Sequence, residues 1–226
     1  MSQWFLSVIV EINCITILFF ANLFLLFRIN YNNKIQYGAF SMYEACSFNS
    51  ATKEYLTVFY EILDQMIQGM EKACLTNNIS QNFIVQMIPH HKAAIQMSEN
   101  VLKYTTDNTV RKIASGIIVE QTQSIHDMKH ALCPCLTKNS PCQDIHLYRR
   151  EVHNIIHTMY TGMNTAYATN NITDNFMREM IPHHQGAVAM CMNALRYCIC
   201  PELVPILNSI IISQEEGIRE MKQLLS

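Results

Sequence analysis

Met87-Ile88-Pro89-His90-His91 recurs as Met180-Ile181-Pro182-His183-His184, and the same offset of 93 residues carries Phe83 to Phe176, Met97 to Met190 and Gln121 to Gln214. Upstream, Met66, Gly69, Met70 and Ala73 reappear as Met159, Gly162, Met163 and Ala166. Thr76-Asn77-Asn78-Ile79 reappears as Thr169-Asn170-Asn171-Ile172, and the match closes with Ile125 and Met128 against Ile218 and Met221. A constant offset without a gap is the mark of an internal duplication. Each unit has room for three helices of ordinary length.

Within a unit the spacing is helical. Phe59, Ile62, Leu63, Met66, Met70 and Ala73 fall three and four apart, the stripe of an amphipathic helix that runs from Thr52 and ends before Thr76. Ser80, with Thr173 as its copy, is the expected N-cap of a second helix whose inner face carries Phe83, Met87, His90, Ala94 and Met97, with His91 at the margin. Pro89 and Pro182 lie too deep for a first turn, so each is expected to kink its helix and to free the carbonyl of Val85 or Arg178. A third helix, from about Asp107 to Ala131, presents Ala114, Ile118, Gln121, Ile125 and Met128, echoed by Leu207, Ile211, Gln214, Ile218 and Met221. A buried Gln in such a stripe needs a partner: the ring N–H of a metal-bound His, a backbone group or water.

The 226 residues carry a formal net charge of −2 with basic residues scattered along the chain, which excludes the electrostatic footprint of a nucleic-acid binder. Trp4 to Phe27 is mostly apolar and ends at Arg28, long enough to span a bilayer with Glu11 and Asn13 near an interface. No basic residue precedes it and no clear small-x-small cleavage site follows, so a retained anchor is expected over a cleaved signal. Arg28 and Lys34 alone would hold the body on the cytoplasmic side. The expected organisation is a transmembrane anchor or signal segment over 1–29, a linker over 30–51, a first repeat over 52–132, a Cys-rich linker over 133–144 and a second repeat over 145–226. If the helices alternate in direction, Cys133, Cys135, Cys142, Cys198 and Cys200 gather at one end, as disulfides or as a thiolate site.

Fourteen Met, nine His and nine Cys stand against 15% charged residues. A single inward Met is usually packing. Two adjacent imidazoles are harder to bury without partners, and the repetition of the pair, each time with Met nearby, points to ligands. The candidate metal set is His90, His91, His183 and His184 with Met87, Met97, Met180 and Met190. Thioether with imidazole suits copper, and Cu(I) first, whereas zinc prefers Cys or carboxylate beside His. A di-iron centre would need Glu-x-x-His pairs, and the chain has none.

These residues, from Phe83 through the two His-His motifs to Met221, resemble a bacterial family of unknown function that belongs to the ferritin-like superfamily and includes CopM-type copper metallochaperones. The resemblance covers roughly Thr52 to Leu225. It implies an all-α, ferritin-like helical bundle built from two tandem three-helix repeats, secreted or membrane-attached, that binds copper through Met and His. It marks the four His first and the four Met next. It also outweighs the charge argument and puts the body outside the cytoplasm. Lys92-Ala93 in place of Gln185-Gly186, and the absence near Gln121 of an acidic pair like Glu215-Glu216, set the two copies apart. The function expected is a membrane-tethered, non-enzymatic protein that sequesters Cu(I) or hands it to a copper-accepting protein. The alternatives are a ferritin-like metal-dependent oxidoreductase and a structural helical module with no metal role.

Overall fold

The computed structural model describes residues 48–137 and 139–226; the apolar segment from Trp4 to Phe27 and most of the 30–51 linker lie outside them. Among the described residues no helix is long and apolar enough to cross a membrane. Six long helices account for the body, with no strand among the described residues: α1 (Ser50–Glu71), α2 (Ile79–Val101), α3 (Asn108–Leu132), α4 (Cys142–Asn164), α5 (Ile172–Ala194) and α6 (Val204–Leu225). A short 3-10 turn, Pro134–Thr137, joins the halves. The body is an all-α helical bundle.

Each half is organised around its middle helix. α1 and α3 both pack on α2, α4 and α6 both pack on α5, and α2 meets α5 at the centre, while α1–α4 and α3–α6 touch at the flanks. The offset of 93 survives in the contacts. Asn100 donates to the carbonyl of Tyr55 at 3.0 Å and Asn193 to that of Tyr148 at 3.3 Å. Tyr55 meets Tyr104 edge-on at 6.0 Å, and Tyr148 meets Tyr197 in the same way at 6.0 Å. Phe83 and Phe176 are wholly buried in equivalent places, and truncating either to Ala would cost about 3–5 kcal/mol.

The helix ends correct part of the sequence reading. Asn78 and Asn171 are the N-caps of α2 and α5, accepting from the backbone N–H of Gln81 and Asp174. Ser80 lies within α2 and its hydroxyl accepts from the N–H of Cys200. Several cap-type residues run together here, and the pattern alone does not choose among them. Both helices run unbroken through Pro89 and Pro182. What the prolines demand is a close neighbour without a side chain: a Cβ on Gly69 would sit 2.9 Å from Pro89 Cβ, and one on Gly162 2.9 Å from Pro182 Cβ. These paired contacts set how closely α1 approaches α2 and α4 approaches α5.

Of the five cysteines expected together, Cys135 and Cys200 form a disulfide, whereas Cys133, Cys142 and Cys198 are free and exposed. A thiolate metal site is therefore not what joins them. Cys142 is the first residue of α4. The Asn78 side chain donates to the Cys135 carbonyl at 2.6 Å, so the bridge is tied to the start of α2.

Candidate metal centre

An amphipathic surface helix has one buried stripe, and one member of an adjacent pair would normally face away from it. α2 and α5 escape that limit because each is surrounded by three other helices. His90 and His183 are 0% exposed and His91 and His184 1%. Met87, Met97, Met180 and Met190 are also buried, at 0–2%. All eight candidate side chains therefore lie inside, on the two central helices.

The cluster centres on His90 and His183, whose ring centroids are 3.7 Å apart. His91 and His184 flank them at 5.8 and 5.9 Å. Nε2 of His90 lies 3.2 Å from the carbonyl of His183, and Nε2 of His183 lies 3.1 Å from the carbonyl of His90. A carbonyl only accepts, so in both rings Nε2 carries the proton and Nδ1 holds the lone pair. Nδ1 of all four histidines is buried without a hydrogen-bond partner. An imidazole fixed by an Nε2–H to a carbonyl, with Nδ1 bare, is in the state a metal ligand requires.

Electrostatics keeps the cluster neutral. Burial lowers the pKa of all four imidazoles, to about 3 for His91 and about 4 for His183. It acts on His90 and His184 as well, where neighbouring imidazoles add repulsion. Neutral rings offer lone pairs rather than charge. Among the described residues, no three of these rings bring nitrogens within reach of one ion; the only such group of His, Cys and acidic donors is Cys135, Cys200 and Glu202, where the two sulfurs are bonded to each other. Imidazoles alone thus offer a low coordination number, and buried thioethers lie on the same helices.

The two halves differ around the motif. His91 Nε2 lies 3.0 Å from the Ser124 hydroxyl. The equivalent of Ser124 is Gly217, where a Cβ would sit 3.1 Å from His184 Nε2. Gln121 and Gln214 are buried, yet neither side-chain oxygen has a partner, so of the alternatives for these residues the bond from a motif histidine does not form. Both line a cavity of about 330 Å³ between α3 and α6 that reaches His91. Gly186 leaves space that the Met159 thioether fills. The periodic pattern hides Ser124, because its repeat partner has no side chain.

α5 also carries a buried carboxyl. Glu179 is 3% exposed and accepts from Tyr55 Oη at 2.5 Å; burial raises its pKa to about 8, against the lowering effect of that bond, so it is protonated at neutral pH. Its repeat equivalent is Gln86, so no search for matched acids finds it.

The model of the domain of unknown function DUF305 matches residues 61–132 and, more extensively, 80–225. The chain belongs to the DUF305 family. It is 27% identical over 81 residues to the uncharacterized protein L153 of Acanthamoeba polyphaga mimivirus, 36% of this chain and 52% of that protein, so it spans about half the length of this curated relative. Among solved structures, a DUF305 fragment from Deinococcus radiodurans is 27% identical, with 65% of this chain and 95% of that one covered and a TM-score of 0.48. CopM in a silver-bound form is 30% identical, with 64% and 93% covered and a TM-score of 0.49. CopM in a Cu(II)-bound form is 29% identical, with 64% and 94% covered and a TM-score of 0.48.

Proposed function

We propose that this DUF305 protein binds copper, taking it as Cu(I) on His90, His91, His183 and His184 with thioethers from Met87, Met97, Met180 and Met190, and that it sequesters the ion or passes it to a copper-accepting protein. The observation that carries the reading is the set of four buried, neutral imidazoles with bare Nδ1 atoms on helices lined with buried Met. A soft, low-coordinate ion fits that set, and a hard cation does not. CopM, a similar protein, is known in silver-bound and Cu(II)-bound forms. No covalent step is part of the proposal. An oxidoreductase of the di-iron type would call for matched inward carboxylates, and the position 93 residues before Glu179 is Gln86.

The reading extends to the setting. It takes the two halves as tandem copies of one module of ferritin-like descent, which the shared offset of 93 residues supports. It takes the apolar N-terminal segment as a membrane anchor that holds the body outside the cytoplasm, where a Cys135–Cys200 disulfide persists.

One observation favours a structural reading. The reciprocal His90 and His183 bonds to carbonyls cross-tie α2 and α5 without any ion. A Cu(I) titration against a competing chelator separates the two, comparing wild type with a His90→Ala/His91→Ala/His183→Ala/His184→Ala variant and with a Met87→Leu/Met180→Leu variant that keeps the packing volume. Loss of tight binding in variants that still fold, the Met pair included, supports the copper site. Binding equal to wild type in a folded His variant leaves the histidines as packing residues.

A further inference from the structure

His126 and His130 stand one helical turn apart on α3, outside the duplicated motif: their repeat equivalents are Arg219 and Gln223. Both are exposed, the His126 side chain 63% so, and packing does not account for their arrangement. Nevertheless, the two Nε2 atoms approach to 2.9 Å and the ring centroids to 4.2 Å. Asp127 Oδ1 lies 3.4 Å from His126 Nδ1 and is itself held by the Gln123 amide at 2.8 Å. An ionised carboxylate only accepts, so His126 carries its proton on Nδ1 and turns the Nε2 lone pair towards His130. The proton between the two Nε2 atoms belongs to His130. Exchanging that proton for a cation places two imidazole donors on one ion, with a carboxylate behind the first, the usual support of a metal-bound histidine.

We propose that His126 and His130, oriented by Asp127 and Gln123, form a surface site for Cu(II). At an imidazole–metal distance of about 2.0–2.1 Å, two donors on one ion stand roughly 2.9–3.3 Å apart. The observed 2.9 Å puts the two Nε2 atoms within reach of a shared ion. Among divalent ions Cu(II) heads the affinity order for such a nitrogen site. His153 and His157 repeat the one-turn spacing on α4, also exposed, but no ring contact or hydrogen bond joins them among the described residues. Asp127 lines the cavity that reaches His91, so the site stands at the rim of that cavity. The proposal holds whether or not the buried motif carries Cu(I).

The test uses the full-length protein with its free thiols alkylated, titrated with Cu(II) against a calibrated competing ligand and followed by electron paramagnetic resonance. Wild type should show a tetragonal signal with coupling to two imidazole nitrogens. The His126→Gln/His130→Gln variant should lose that signal and bind Cu(II) at least tenfold more weakly, with Cu(I) uptake under reducing conditions unchanged. Asp127→Asn should weaken Cu(II) roughly tenfold, as loss of a supporting carboxylate does. Undiminished binding and an unchanged signal in the double variant would overturn the assignment, as would transfer of the loss to a His153→Gln/His157→Gln control. Since Cu(I) uptake is read separately, failure here and failure of the buried copper site are distinguishable.

Discussion

Acidifying the metal-free protein should unfold it steeply from near neutral pH. His90, His91, His183 and His184 all have folded pKa values below the ordinary 6.5, through burial and, for three of them, repulsion between neighbouring rings. The unfolded chain therefore binds protons below pH 6.5 that the folded protein refuses, and stability must fall as pH drops through that range. Glu179 acts in the opposite direction: with a folded pKa of about 8, it keeps a proton that the unfolded chain releases above the usual carboxylate range. Between pH 6.5 and 4.5 the net difference approaches three protons, or roughly 4 kcal/mol per pH unit at about 1.36 kcal/mol per proton. Total stabilities of about 5–15 kcal/mol would be exhausted within a few units. Above about pH 7 the proton held by Glu179 outweighs those still bound by the unfolded histidines, and stability should decline slightly, by less than about 1 kcal/mol up to pH 8. Urea unfolding monitored by circular dichroism from pH 4.5 to 8.5 should thus give a maximum near pH 6.5–7. Unchanged stability between pH 6.5 and 5.5 would refute the buried, neutral cluster from which the metal site is argued.

Replacing Glu179 with Gln should flatten the alkaline limb of that profile while leaving the acid limb steep, read in the same urea series. Gly69→Ala and Gly162→Ala each push a Cβ to 2.9 Å from a rigid proline ring and should cost about 1–3 kcal/mol despite the better helix propensity; Gly116→Ala, with nothing within 4 Å, should instead gain about 0.5–1 kcal/mol in thermal melts. Removing the Cys135–Cys200 bridge with paired Ser substitutions should lower stability by about 2–4 kcal/mol, with thiol titration before and after reduction confirming that the wild-type bridge is present. Ser124→Ala strips the partner from His91 Nε2 and should cost about 1–3 kcal/mol, measured by chemical denaturation.

The repeat offset made most of the helical layout legible, since each residue is read twice and the apolar stripes reinforce one another. α2 and α5 carry equal lengths and equal ends in the two halves. The candidate ligands were legible for the same reason: Met87, His90 and His91 announce themselves through Met180, His183 and His184. What stayed hidden depends on tertiary neighbours. Ser80 and Asn78 are equally good caps by composition, and the choice is made by the Cys200 backbone, which claims the Ser80 hydroxyl. Gln121 sits in the stripe as read, but the hydroxyl that meets His91 comes from Ser124, one turn away, which the repeat comparison discards because Gly217 answers it. The kink expected at Pro89 is a statement about one helix, whereas what the structure shows at that proline is its contact with Gly69 on another.

The differences between the halves bear on mechanism more than their likeness does. A protein that only needed a symmetric cross-tie between α2 and α5 would have His90 and His183, whose bonds to opposite carbonyls are reciprocal to within 0.1 Å. The flanking rings are not treated alike. His91 is held at Nε2 by the Ser124 hydroxyl and lines the cavity between α3 and α6, while His184 Nε2 faces Gly217. A ring held at Nε2 loses less freedom when its Nδ1 takes an ion. On the copper reading proposed above, His91 would therefore be the better-fixed ligand of the two flanking rings, and the halves would not bind an ion equally.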